Sequence, residues 1–249
     1  MNELLLLSGL DIPFPEAGIS IHQPTMKELA LMGEDRFFSG LQLLNFSKEN
    51  LTEQDKTLLG NQNNFDIIMS IIRDNSLESR SSRVNVMMLF TFMFPEYRIN
   101  IDKNEIFLAS ENNEEEVASI NRDNYESFLK IVNAMFCNMA ESESEYKAGN
   151  AAAQKLIDKF KNRQKKLAEL KNENEKEKVS VFGRFISILA VGERKDINSF
   201  FNYTVFQLMD EYQRFELKEE NDIYLKAKIA GATGMNEVDN WMKDLHPNI

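Results

Sequence analysis

The stretch from Val84 to Phe94 constrains this chain more than any other. Val84, Val86, Met87, Met88, Leu89, Phe90, Phe92, Met93 and Phe94 leave a helix there almost no polar side. Such a helix must be enclosed, either by the rest of its own chain or by a partner. Pro95 stops it, because a proline cannot continue the backbone ladder. Either the remainder of the chain or a partner must therefore supply apolar surface to wrap it. With 249 residues and 43% apolar side chains, one large domain or two modest ones are within reach. Pro and Gly are scarce, at 5 and 10 residues, which favours packed helices over a sandwich of many short strands. The expected fold class is mainly α, with a small β-hairpin and short-strand element in the N-terminal half: a helix-dominated α+β protein.

Leu4 to Leu7 and Ile19 to Ile21 are short strand candidates, broken by Pro13, Pro15 and Gly18. Thr25 and Glu28 have the spacing of a capping box, in which hydroxyl and carboxylate each satisfy a backbone N–H that the helix start leaves free. Leu29, Met32, Phe37, Leu41 and Leu44 then extend a helical period to about Phe46. Thr52 is a cap for a short helix ending near Gly60, and Phe65, Ile68, Met69 and Ile72 form a further stripe. After Pro95 the period becomes two: Tyr97, Ile99 and Ile101, then Ile106 and Leu108, predict a β-hairpin near 97–109. Glu111 to Glu116 reads as a solvated acidic loop in preference to a metal site, and a helix returns from about Asp123 to Asn138.

The small, polar residues 139–149 suggest a boundary, followed by a long charged helix to about Lys178. The predicted organisation is an N-terminal α+β domain over 1–140, a polar linker with the charged helix over 141–178, and a C-terminal helical domain over 179–249. In that last part, Val179 to Val191 should be a buried helix closed by Gly192, and Asp196 caps a turn carrying Phe200 and Phe201. Thr204 with Gln207 opens the last long helix, with Leu208, Tyr212, Phe215 and Ile223 on its inner face, fading near Gly231. A short helix from Glu237 to Leu245 ends the chain.

Enzyme motifs are missing. The two histidines, His22 and His246, lie near opposite ends, without a second His or Cys at ligand spacing. No phosphate-binding loop or nucleophile elbow occurs, and Gly231-Ala232-Thr233-Gly234 follows a helix instead of opening one. The chain is expected to hold no catalytic residues, no cofactor and no metal. Its single cysteine, Cys137, sits in an apolar pattern and reads as a buried structural thiol, suiting a reducing compartment. No run approaches the roughly 18 apolar residues of a membrane span, and the start lacks the basic residues of a signal peptide. The expected location is the cytoplasm, with no membrane contact.

The net charge of −11 opposes non-specific attraction to nucleic acid. Between Asn150 and Lys178, however, eight Lys and one Arg face one Asp and four Glu, so this segment carries +4 and the rest −15. A nucleic-acid reading would set Lys155, Lys159, Lys161, Arg163, Lys165 and Lys166 against phosphates. Only Phe160 offers a base a stacking partner, which favours a solvated helix paired with an acidic surface. The residues singled out for binding proteins are Met87, Phe90 and Phe94 on the apolar helix, Phe160, and Trp241, Met242 and Leu245 near the C-terminus. Met and Phe are plentiful, at 12 and 18 beside one Trp, and both adapt to irregular cores and to partner surfaces.

The order of features resembles tail assembly chaperones, or tail morphogenesis proteins, of tailed bacteriophages infecting Gram-positive bacteria. The likeness lies in the run from Ile21 to Glu28 (IHQPTMKE), then in the hairpin followed by the run from Asn121 to Phe128 (NRDNYESF). It continues through the charged helix around Ala153 to Phe160, the run from Tyr203 to Leu208 (YTVFQL), the run from Asp222 to Lys228 (DIYLKAK) and the closing run from Trp241 to Leu245 (WMKDL). The resemblance implies a protein without chemistry that binds helical tape-measure or tail proteins during assembly and shields their apolar faces. A structural tail or baseplate component retained in the virion is the first alternative, and a nucleic-acid-binding regulator using the basic helix 155–166 the second. Expected partners are proteins, including a second copy of the chain.

Overall fold

The computed structural model describes residues 2–46, 63–74, 80–102, 105–110, 116–137, 180–233 and 237–246. Along the chain come α1 (Glu3–Ser8), β1 (Ile12–Phe14), β2 (Ile19–Ile21), α2 (Met26–Met32), α3 (Glu34–Leu44), α4 (Asn64–Arg73) and α5 (Arg80–Met93). Three strands follow, β3 (Tyr97–Ile101), β4 (Ile106–Ser110) and β5 (Glu116–Ile120). Then come α6 (Tyr125–Met135), α7 (Val181–Glu193), a 3-10 segment (Ile197–Asn202) and α8 (Val205–Ile229). Two small antiparallel sheets, β1-β2 and β3-β4-β5, accompany the helices, giving the helix-dominated α+β class that the sequence predicts.

The helix starts follow from local chemistry. Thr25 Oγ1 accepts from the Glu28 N–H at 3.3 Å while Glu28 Oε2 accepts from the Thr25 N–H at 2.7 Å, so both halves of the predicted capping box are made. The second predicted box, Thr204 with Gln207, opens α8 in the same way. A third, Asn63 with Asp66, opens α4. Leu4 to Leu7, expected as a strand, is helical instead. The Asn2 side chain accepts from the Leu4 N–H, and Gly9 closes the turn at φ 69, so capping at both ends overrides the apolar run. The helix expected to run unbroken to Phe46 is two helices. Gly33 at φ 90 ends α2 and starts α3, which explains why the apolar spacing jumps from Met32 to Phe37.

The predicted hairpin is present: β3 pairs with β4 from Tyr97↔Ser110 to Ile101↔Ile106. The sequence missed β5, which pairs Ile106↔Ile120 and Leu108↔Ala118, with a register shift at Leu108/Ala109. Of the predicted acidic loop, residues 111–115 lie outside the described residues and Glu116 begins the strand.

Phe128 on α6 organises the interior. Its ring lies 5.5 Å from Phe90 and 6.2 Å from Phe94, both stacked, and 6.1 Å from Phe14 of the first hairpin. Tyr125, one turn earlier, packs on Phe65 at 5.0 Å and donates its hydroxyl to the Leu44 carbonyl at 2.7 Å. Burial pushes the Tyr125 phenol well above its ordinary pKa, so it is held as a donor. Thus α5 is wrapped by its own chain, one of the two enclosures that its composition allows. Phe90 and Phe94 are fully buried, which corrects their assignment as partner-binding residues: an apolar side chain with no exposed area has nothing to offer a partner. Met87 is half-buried against the same core.

The C-terminal helices share that core. Phe182 of α7 stacks on Phe38 at 5.5 Å, and Phe37 meets Phe136 edge-on at 5.0 Å. Glu34 Oε1 accepts from the backbone N–H groups of Val181 and Phe182 at 2.7 and 3.0 Å, placing a carboxylate from α3 at the positive end of α7. The Tyr203 carbonyl accepts from the Met26 N–H at 2.7 Å, and Thr25 bridges Thr204, so the starts of α2 and α8 are joined. The predicted linker and charged helix of 141–178, the short helix of 52–60, and Phe160 lie outside the described residues.

Gly192 does not close α7, as the sequence suggested. It lies within the helix, and a Cβ there would stand 2.3 Å from Cζ of Phe215 on α8. The glycine lets the two helices approach, and Arg194 at φ 57 forms the cap.

Candidate functional site

The first two turns of α8 belong to the core, with Val205, Phe206 and Leu208 fully buried. Tyr212 and Phe215 are half-buried, Tyr212 lying against Phe185 of α7 with ring centroids 4.2 Å apart. Beyond Asn221 the helix continues with no buried residue at all. Eight residues to Ile229 make a length of about 12 Å at 1.5 Å per residue. Ile223 (64% exposed) continues the inner stripe past the body, while Leu225 (47%) and Ile229 (86%), one turn apart, occupy another side. Ile223 was expected on the inner face; its position is right, but no core reaches that far.

Beside this helix lies the C-terminal segment. Expected as a helix over 237–245, it instead runs as turns, and charged partners decide its path. Arg214 Nη1 donates to the carbonyls of Trp241 and Lys243 at 3.1 and 2.7 Å. His246 Nε2 lies 3.1 Å from Asp210 Oδ1, and its ring packs on Phe206 at 4.6 Å. Leu245 is half-buried by this docking, whereas Trp241 is 37% and Met242 67% exposed. Of the residues singled out from sequence, the structure therefore brings Trp241, Met242 and Leu245 together along α8. It keeps Met87, Phe90 and Phe94 in the core, apart from them.

An open cavity of about 500 Å³ runs along α8, lined by Leu7, Glu193, Tyr203, Gln207, Glu211 and Phe215 among others. Lys195 Nζ sits between two carboxylates here, 2.7 Å from Glu193 Oε2 and hydrogen-bonded to Glu211 Oε1. These hydrogen bonds hold the Lys195 pKa above the ordinary lysine value. Burial, opposed by Lys195, raises Glu211. Burial also pushes Glu193 up, but the bonds to Lys195 and Glu211 outweigh it and leave Glu193 low. The pair is arranged so that Glu193 stays ionised while Glu211 is the first to take a proton. Nothing in the sequence marks these three residues, which come from a helix end, a loop and the next helix.

His22 bridges two carboxylates, with Nδ1 2.9 Å from Asp11 Oδ1 and Nε2 3.4 Å from Glu28 Oε2. Its neighbour Gln23 is buried and donates to the carbonyls of Leu5 and Leu10 at 3.2 and 2.6 Å. The run from Ile21 to Glu28 is thus a joint in which each polar group fastens one segment to another. Cys137 packs against the core at φ 53, and burial raises its thiol to about 12, with Asp210 adding to the effect. A thiol held protonated is a poor nucleophile.

Among the described residues, one group of side chains has atoms close enough to share a metal ion: Glu3, Asp210 and His246, within 4.8 Å of one another. No helix among the described residues is long and apolar enough to cross a membrane.

Residues 171–246 match a family model described as the YomV second domain, a family derived from Bacillus phage. No curated protein and no solved structure matches the chain. The match covers less than a third of the sequence and contains α7, α8 and the docked C-terminal segment. This likeness points to a phage protein.

Proposed function

We propose that the chain is a non-catalytic phage protein that binds an apolar helical segment of a tape-measure or tail protein during assembly. The observation that carries this reading is the distal part of α8, where Ile223, Leu225 and Ile229 stand in solvent, on a helix whose earlier turns hold the C-terminal segment with its exposed Trp241 and Met242. Large apolar side chains left on more than one side of a helix that has passed the core are costly to leave in water, and such surfaces are ones that a partner covers. The surrounding Lys218, Glu219, Glu220, Asp222, Lys226 and Lys228 give the polar rim that keeps such a surface soluble when unoccupied. An apolar groove of about 250 Å³ between α2 and α7, lined by Leu29, Phe182, Ile186 and Phe201, adds a second place for an aliphatic side chain. The phage-derived family match covers this same C-terminal part.

The test combines co-expression with particle analysis. The chain should co-purify with fragments of the tape-measure protein of its own phage, and mass spectrometry should find it missing from mature particles. Its presence in particles at a fixed copy number would favour a structural tail component. Salt-sensitive retention of DNA, lost when Lys165 and Lys166 are changed to Glu, would favour the nucleic-acid reading.

A further inference from the structure

We infer that Glu3, Asp210 and His246 form a binding site for a divalent first-row transition ion, which fastens the C-terminal segment to the body. The three residues come from α1, from α8 and from the end of the chain, and their ligand atoms lie within 4.8 Å of one another. An imidazole with two carboxylates is a donor set suited to Zn²⁺, Mn²⁺ or Fe²⁺, with water filling the remaining positions. The spacing is compatible. Two ligands held about 2.1 Å from an ion and about 3 Å apart subtend close to a right angle at it. His246 Nε2 and Asp210 Oδ1 are 3.1 Å apart.

Placement supports the inference. The His246 side chain is 9% exposed and that of Asp210 16% exposed, so an ion between them would be shielded on several sides while keeping a path to solvent. The Phe206 ring packs against the imidazole at 4.6 Å and limits its rotation. Arg214 Nη2 is 3.7 Å from the same Asp210 oxygen, which sets one positive charge against two carboxylates and leaves a local negative excess. The other histidine provides a contrast. His22 turns its two ring nitrogens toward different carboxylates, Asp11 and Glu28, so those oxygens cannot meet on one ion with a single nitrogen. The inference is independent of the protein-binding reading, since an ion here would hold the segment whether or not α8 meets a partner.

The test uses the full chain, free of any affinity tag, stripped with a chelator and titrated with Zn²⁺ and separately with Mn²⁺. The site predicts saturable binding of one ion per chain. At a hundredfold excess over Kd the thermal midpoint should rise by about 5 °C. Trp241 is the single tryptophan and lies five residues before His246, so paramagnetic Mn²⁺ should quench its fluorescence. His246→Ala and Asp210→Asn should each abolish binding and quenching, Glu3→Gln should weaken both, and His22→Asn should leave them unchanged. Absence of saturable binding by either ion would overturn the inference. So would one-to-one binding that survives His246→Ala with Asp210→Asn, or that disappears with His22→Asn.

Discussion

Tyr125 shows how much of this fold rests on single polar atoms placed inside it. Its hydroxyl gives the Leu44 carbonyl a partner where α3 ends, and the group is buried. Tyr125→Phe should cost about 1–2 kcal/mol, because a buried acceptor loses its donor while the ring packing is kept. Equilibrium urea denaturation of the two proteins checks this. Lys195 acts at the surface, where its worth depends on protonation. Lys195→Ala leaves Glu193 and Glu211 facing each other, both ionised at high pH. The expected loss is about 1 kcal/mol at pH 8, discounted for solvent because Lys195 is well exposed. Near pH 5 the loss should shrink, since the raised Glu211 takes a proton and relieves the repulsion. Thermal midpoints at the two pH values measure the difference. Local signals of this kind are partly legible in sequence. The boxes Thr25/Glu28 and Thr204/Gln207 could be read because capping needs fixed residue types three positions apart. The Lys195 cluster could not, because its members are joined only by the fold.

At the scale of elements, the starts of α2, α7 and α8 tie the two ends of the chain together. Thr204→Ala should cost about 1 kcal/mol by removing one half of a capping box, seen as a lower unfolding midpoint. Glu28 gives a pH signature. Burial raises its pKa, but the hydrogen bonds to Thr25 and the proximity of His22 bring it below the ordinary 4.5. A carboxyl lowered on folding contributes stability that is fully present above 4.5 and is lost as pH falls through the folded value. Glu28→Gln should therefore lower the unfolding midpoint at neutral pH and converge with the unaltered chain as pH falls through the folded value, which flattens the acid side of the profile; thermal midpoints across the acid range check this. The elements themselves were readable where the apolar pattern was strong, as in α4, α5 and the 97–109 hairpin. They were misread at Leu4–Leu7, where caps overrode the apolar run, and at Glu237–Leu245. There Arg214 and Asp210 impose turns on a sequence with helical spacing. Strand β5 was hidden by the acidic residues next to it.

For the whole molecule, one division explains both the apolar excess and the surface left over. The Met- and Phe-rich helix α5 is consumed by the core, so its composition reports on packing and not on partners. Sequence alone could not separate these uses, because an all-round apolar helix looks the same wrapped by its own chain or by another. The binding candidates that remain at the surface, Trp241 and Met242, are joined by Ile223, Leu225 and Ile229, whose exposure depends on where the core ends. The Glu3, Asp210 and His246 convergence was likewise invisible, since its ligands lie at opposite ends of the chain. The central claim is that the distal part of α8 is a protein-binding face. Isothermal titration of a purified helical tape-measure fragment into the chain tests it most directly, against a variant carrying Ile223→Glu, Leu225→Glu and Ile229→Glu. These side chains lie outside the core, so the variant should keep its unfolding midpoint and lose at least about tenfold in affinity, as removal of central apolar contacts does. Equal affinity of the folded variant and the unaltered chain would contradict the account.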